Sequence, residues 1–344
     1  MAPPASYAAV MRIVRAVLFA AVVPGALALS YLAGAPGVQA SRDDTARGAQ
    51  APADDARLRG TLVFQSDRDG RPGIYTIDLA SRRVARLSGS PQWSETTPRW
   101  SPDGRWVAFA SNRAHHQGAS PERGTPDVDL YLIRADGTGL RRVTTSPGND
   151  NDPSWAPDGK SLYYWSDADS RGDISRVWLD TGRVERLTRQ FVGRAIMPNA
   201  SPDGRRVAFA AQTLRLGQFW AYQLHMLDVA RGTTEALDDS SGACWPAFSR
   251  DATRLAHVRL VDGRPSSIVI RALSSGAADA VVADASTWSY YPAWSPDGRH
   301  LAFSTSPAHH DGEDWDLAVV DVGSRGVTRL TSGPGNDRLP DWKP

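Results

Sequence analysis

A seven-residue phrase written six times along the chain limits the fold more than any other feature. Pro98-Arg99-Trp100-Ser101-Pro102-Asp103-Gly104 returns as Pro153-Ser154-Trp155-Ala156-Pro157-Asp158-Gly159 and as Pro198-Asn199-Ala200-Ser201-Pro202-Asp203-Gly204. Pro246-Ala247-Phe248-Ser249-Arg250-Asp251-Ala252 is a degenerate copy, Pro292-Ala293-Trp294-Ser295-Pro296-Asp297-Gly298 is complete, and Pro340-Asp341-Trp342-Lys343-Pro344 holds only the first part. The aromatic position falls at 100, 155, 200, 248, 294 and 342, so the spacings are 55, 45, 48, 46 and 48 residues. Such a period marks one supersecondary unit per copy, each burying its faces only against its neighbours.

Local chemistry makes each unit a small antiparallel sheet. Ser-Pro-Asp-Gly is a turn, because proline presets φ, aspartate accepts nearby backbone N–H groups and glycine takes the left-handed position. β-rich stretches follow it, such as Trp106-Val107-Ala108-Phe109-Ala110 and Leu301-Ala302-Phe303-Ser304, and then a second strand such as Asp129-Leu130-Tyr131-Leu132-Ile133. A short third strand and the Pro-x-Trp stretch complete four strands per unit, and no segment after residue 60 shows sustained helical periodicity. Thr61 to Leu87 lacks a Pro-x-Trp strand while Pro340 to Trp342 is only that strand, so the two halves complete one blade. The expected fold is an all-β, six-bladed β-propeller over residues 61–344, closed by pairing the C-terminal strand with the N-terminal blade, which removes exposed sheet edges. The phrase tryptophans Trp100, Trp155, Trp294 and Trp342 are expected as wedges between blades.

Residues 1–40 read as a secretory signal, with Arg12 and Arg15 before an apolar run from Ala16 to Leu32 and the small-residue end Val38-Gln39-Ala40. The expected mature chain begins at Ser41, is periplasmic or secreted, and has no stable membrane insertion after cleavage. Residues 41–60, rich in Ala, Asp and Arg, read as a linker. The formal charge is +1, and without Arg12 and Arg15 the balance becomes 37 basic to 38 acidic residues. Basic residues are spread evenly among acids, which excludes a nucleic-acid partner. A single cysteine, Cys244, allows no internal disulfide and is expected as a small buried hydrophobe. A monomer without cofactors is expected.

The Pro-x-Trp-Ser-Pro-Asp-Gly phrase, together with Phe64-Gln65-Ser66-Asp67-Arg68-Asp69-Gly70 and Gly73-Ile74-Tyr75, resembles the propeller repeat of TolB and the wider TolB-like group. The resemblance implies a non-catalytic envelope protein that binds a protein or peptide, possessing functional ties to a Tol-Pal-like system. TolB carries an α/β domain ahead of its propeller, and the short segment 41–60 implies a propeller-only relative here. Similar repeats also gate prolyl oligopeptidase-like peptidases, whose chemistry needs a Gly-x-Ser-x-Gly elbow that this sequence lacks. Propeller lyases acting on uronides hold a metal through histidines, which gives the alternative reading of a metal-dependent lyase or hydrolase acting on a saccharide or other small substrate.

Candidate metal ligands for that alternative are His115, His116, His309 and His310, two Ala-His-His repeats in equivalent loops. Adjacent residues on extended backbone point opposite ways, which favours a duplicated solvated loop. The loops Asp67-Arg68-Asp69-Gly70, Asp167-Ala168-Asp169 and Asn149-Asp150-Asn151-Asp152 supply oxygens suited to calcium but lack the twelve-residue loop spacing, and read as turns. The segments entering each innermost strand differ where the blades are alike, and there the candidate ligand-binding residues stand: Arg194, Trp245, Tyr290, Tyr291 and Arg338. Aromatic and arginine side chains anchor interfaces at small entropic cost, and two arginines suit an acidic or C-terminal peptide, with Glu95, Asp150, Asp152 and Asp337 as neutralising neighbours.

Overall fold

The computed structural model describes residues 58–344 apart from 115–126, 169–171, 213, 216–217, 220–221, 262–263, 308–313 and 334. The signal segment 1–40, residues 41–57 of the linker, and His115, His116, His309 and His310 lie outside the described residues. From Thr61 onward the described chain forms six four-stranded antiparallel sheets and one additional two-stranded hairpin. The first blade joins Thr61–Ser66, Gly73–Asp78 and Val84–Ser88 to the strand Arg338–Trp342. Leu62 pairs with Trp342 and Val63 with Asp341, so the ring is closed by the C-terminal strand, as the divided repeat requires. Leu58 and Gly60 already belong to this blade: Leu58 packs with Leu62, Phe64 and Trp342, and the Leu79 amide donates to the Gly60 carbonyl at 2.9 Å.

Innermost strands of the other five blades are Glu95–Trp100, Asp150–Trp155, Arg194–Ala200, Ala243–Phe248 and Trp288–Trp294. The turn after each works as its residue types dictate. In the second blade Ser101 Oγ donates to Asp103 Oδ1 at 2.6 Å, the Arg105 and Trp106 amides donate to Asp103 Oδ1 and Ser101 Oγ, and Gly104 takes φ 64°. The degenerate copy keeps the same turn with Ala252 at φ 56° in the glycine position.

Both faces of each blade are buried, so the cores lie between blades. Leu62 and Phe64 pack toward Ala302, Leu317 and Val319 of the sixth blade, while Val63 and Ile74 pack toward Trp100, Val107 and Phe109 of the second. The phrase tryptophans also stitch blades: Trp155 Nε1 donates to the Arg99 carbonyl at 3.1 Å and Trp294 Nε1 to the Ala247 carbonyl at 3.0 Å. Cys244 is buried among Ile196, Val258 and Tyr290, and burial pushes its thiol up, the state of an inert hydrophobe.

One backbone feature is shared by all six innermost strands. Thr97, Asp152, Met197, Trp245, Tyr291 and Leu339 each precede the phrase proline, and each has a φ between 52° and 61°. At these points the pairing with the next strand slips, between Thr96 and Arg99, Asn151 and Ser154, and equivalently elsewhere, the signature of a bulge. A non-glycine residue in the left-handed region costs about 1–2 kcal/mol, so six around one axis concentrate strain at the channel.

Candidate functional site

A cavity of about 330 Å³ takes residues from every blade, and two of the six bulge residues, Trp245 and Tyr291, line it. Its wall includes Arg99, Ser154, Asn199, Trp245, Tyr291 and Asp341. Pro157, Arg250 and Pro344 line it too and are exposed, which places its opening at the Ser-Pro-Asp-Gly end of the channel. A belt of hydrogen bonds binds neighbouring blades around it: Asp341 Oδ2 accepts from the Trp100 amide at 2.7 Å, Ser154 Oγ from Ala200 at 3.0 Å and Asn199 Oδ1 from Phe248 at 2.9 Å. Blades one to four thus contribute the hydrogen-bonding side chains Asp341, Arg99, Ser154 and Asn199, with the phrase tryptophans Trp342, Trp100 and Trp155 beside them, while Trp245 and Tyr291 of blades five and six form an aromatic wall.

The aromatic wall is a continuous cluster. Trp245 and Tyr291 meet edge to face with centroids 4.6 Å apart, Tyr290 contacts Trp315 edge to face at 5.6 Å, and Tyr291 lies 5.6 Å from Tyr290. Burial pushes the Tyr291 phenol up to about 12, opposed by the nearby Arg338 guanidinium. Arg338 itself lies over the Trp315 ring, 5.0 Å from its centroid.

Of the five residues expected from sequence, the structure therefore brings Trp245, Tyr290, Tyr291 and Arg338 together around Trp315. Trp245 and Tyr291 line the cavity, whereas Tyr290 is 7% exposed and packs behind them. Arg194 is seated elsewhere, against Trp165 at 5.8 Å and Gln212 at 3.4 Å, so the two guanidinium groups rest on different tryptophans. Sequence reasoning missed Trp315; its only signal is its place directly before Asp316, at the start of a third strand.

The acidic neighbours serve other partners. Glu95 pairs with Arg113 and Asp337 with Arg68, not with Arg194 or Arg338. Asp67 accepts from both the amide and Nδ2 of Asn336, at 2.6 and 2.8 Å, and Asp167 holds Asn149 in the same way at 2.6 and 3.0 Å. These loops latch the segment entering one strand to the hairpin beside it, which is the turn role expected of them. Among the described residues no group of three His, Cys, Asp or Glu side chains is placed to hold a metal ion.

Asp152 is the acid at the third-blade bulge, near Arg99. Burial pushes its carboxyl up to about 6, with Arg99 pulling the other way. A carboxyl whose folded pKa lies above its unfolded value favours the fold when protonated, so its contribution is full below about pH 4 and is lost as pH rises through about 6. Asparagine tolerates the left-handed φ of 52° that Asp152 adopts. Asp152→Asn is therefore expected to exceed the wild type in stability by about 2 kcal/mol at pH 8 and to match it at pH 4, measured by denaturant unfolding at both pH values.

Comparison with known proteins agrees with this architecture. A family model described as the TolB beta propeller domain matches residues 119–241 and 206–344. A TolB homologue of Chlorobium luteolum is 31% identical over 123 residues, 36% of this chain and 25% of that protein. The Tol-Pal system protein TolB of Francisella tularensis is 23% identical over 208 residues, 59% of this chain and 46% of that protein. A protein of Agrobacterium fabrum is 33% identical over 159 residues, 43% of this chain and 50% of that protein. The chain spans half or less of the length of these curated relatives. Among solved structures, TolB from Acinetobacter baumannii superposes with a TM-score of 0.68 at 22% identity, over 83% of this chain and 67% of that one.

Proposed function

We propose, from the premise that this chain belongs to the TolB β-propeller domain family, that it is an exported, non-catalytic scaffold which binds a protein or peptide in its central channel. The observation that carries this reading is the axial cavity floored by Trp245 and Tyr291, strained at every bulge and ringed by polar groups from four blades. Rigid aromatic rings beside hydrogen-bonding side chains are the composition of a peptide-binding surface, since they bury large area at small entropic cost. A place in the periplasm among envelope proteins is supported by the signal-like residues 1–40 and by relatives whose names assign them to the Tol-Pal system. Arg338 and Tyr290 extend the site on the side of the entering loops, Arg194 stands apart from it against Trp165, and Arg250 extends it at the turn end.

The test begins with a pull-down from envelope extract and continues with affinities of the captured partner for single variants. Trp245→Ala and Tyr291→Ala are each expected to weaken binding at least tenfold, which is about 1.4 kcal/mol. Arg338→Ala and Arg250→Ala report the end from which the partner enters. Arg231→Ala, on the exposed outer hairpin of the fourth blade, serves as control. Normal affinity in both aromatic variants would remove the channel from consideration.

A further inference from the structure

Comparison of the blades with one another exposes a site outside the channel. In the first blade Arg68 follows Ser66-Asp67, and its guanidinium lies 5.5 Å from the Phe64 centroid and 5.3 Å from that of Tyr75. Its Nε donates to Ser66 Oγ at 3.0 Å and its Nη2 to both oxygens of buried Asp337, at 2.8 and 2.7 Å. The second blade repeats the arrangement. Arg113 follows Ser111-Asn112, lies 5.5 Å from Phe109 and 4.8 Å from Tyr131, and donates to Ser111 Oγ and to Glu95.

The third blade keeps the frame without the guanidinium. Ser166-Asp167-Ala168 makes the same turn, with the Ala168 amide donating to Ser166 Oγ at 3.4 Å, against 3.3 Å for Arg68 and 3.2 Å for Arg113. Tyr164 stands where the others have Phe64 and Phe109, and Ser175 where they have Tyr75 and Tyr131. Asp150 stands where they have Asp337 and Glu95, and it is 0% exposed. Loss of the arginine and of one aromatic ring leaves a cavity of about 250 Å³ lined by Ser146, Tyr164, Ser166, Ala168, Asp173 and Ser175, with Val184, Arg186 and Arg189 at its side.

The cavity presents acceptors. Ser146 Oγ and Ser166 Oγ each donate their hydrogen to Asp150 at 2.6 Å, so their lone pairs are what remains for a guest. Among the described residues the side-chain partners of Asp150 are hydroxyls, and burial holds its carboxyl above the ordinary range, with Asp129 of the second blade adding to the rise. Arg186 is committed to Asp173, its Nε donating to Asp173 Oδ2 at 2.6 Å, and Arg189 is exposed at the rim. A cation entering here meets the oxygens of Ser146 and Ser166, polarised by buried Asp150 behind them, the ring of Tyr164, and the Asp173 carboxylate that Arg186 shares; the first two blades hold their arginine with the equivalent serine, the equivalent buried carboxylate and the equivalent ring, together with a second ring that Ser175 replaces here.

The geometry points to a socket in the third blade, left by Ala168, for the guanidinium group of an arginine side chain supplied by a protein partner. This holds whether or not the channel binds a peptide, and the probe that tests it is a small molecule.

The full chain is titrated with N-acetyl-arginine amide by nuclear magnetic resonance or calorimetry. Saturable binding is expected with a dissociation constant in the millimolar range, about 4 kcal/mol, and at least tenfold weaker binding of the isosteric, uncharged N-acetyl-citrulline amide. Ala168→Arg refills the socket from within: the variant is expected to lose at least tenfold in probe affinity while melting a few degrees higher than the wild type. That gain in melting temperature separates a filled socket from a misfolded protein. Equal binding of citrulline, unchanged affinity in Ala168→Arg, preference for inorganic phosphate, or absence of saturable binding would each overturn the assignment. Arg171→Ala is titrated alongside, because Arg171 follows closely in the chain and lies outside the described residues. Binding that emerges only in that variant would mean the protein's own arginine fills the socket, which also overturns it.

Discussion

Deleting Arg338 to Pro344 is expected to destabilise all six blades together, not the first blade alone. Those residues supply the innermost strand of the first blade, so their loss exposes the edge of Thr61–Ser66 and unpairs Leu62 and Val63. Trp342 is 4% exposed and packs with Leu58, Leu62, Phe64 and Leu317, bridging the first and sixth blades. Asp341 holds the Trp100 amide, bridging the first and second. Truncation of a buried tryptophan alone costs about 3–5 kcal/mol. Trp342→Ala is therefore expected to lower the melting temperature by on the order of 10 °C, and the deletion by more. Thermal melting followed by circular dichroism measures both, and an unchanged midpoint in the truncated protein would mean that the ring does not depend on this seam.

The path from sequence to ring was short because the repeat states it directly. Proline, aspartate and glycine fix each turn locally, and the separation of Thr61–Leu87 from Pro340–Trp342 required closure. The channel was harder to read. Thr97, Asp152, Met197, Trp245, Tyr291 and Leu339 share neither size nor polarity, yet they share one strained φ, since a bulge is set by strand pairing and not by side-chain type. Their signal was positional: each stands directly before the phrase proline. Trp245 and Tyr291 were expected at the site from their residue types, whereas Asp152 entered as a neutralising acid and as part of an oxygen-rich turn, and Trp315 not at all.

Charge partners were the least legible. Glu95 and Asp337 looked like counterions for the arginines of the entering loops, because nearness in sequence was the only guide. Their partners come from the next strand of the same sheet, and in the first blade the pair spans 269 positions because the ring closes there. The triplets Ser66-Asp67-Arg68 and Ser111-Asn112-Arg113 carried the information, since their arginines recur at one place in the repeat.

Those pairs lead to the second large effect, expected for Arg113→Ala. Glu95 is 0% exposed, accepts from Trp93 Nε1 at 3.0 Å through the same oxygen that meets Arg113, and has no partner for its other oxygen among the described residues. The guanidinium lies within 5.5 Å of the Trp93, Phe109 and Tyr131 ring centroids, so it contributes packing as well as charge. Removing one member of a buried pair leaves the other charge desolvated, a cost of about 3–5 kcal/mol, whereas removing both costs much less. Arg113→Ala is thus expected to lose that much in denaturant unfolding, and Arg113→Lys to recover only part, because an ammonium does not stack flat on three rings. The double variant Glu95→Gln with Arg113→Ala separates charge from packing: it is expected to regain at least half of the loss, since the neutral amide no longer needs a counterion. If Arg113→Ala unfolds within about 1 kcal/mol of the wild type, Glu95 is solvated by some other route, and the frame from which the third-blade socket is read loses its energetic basis.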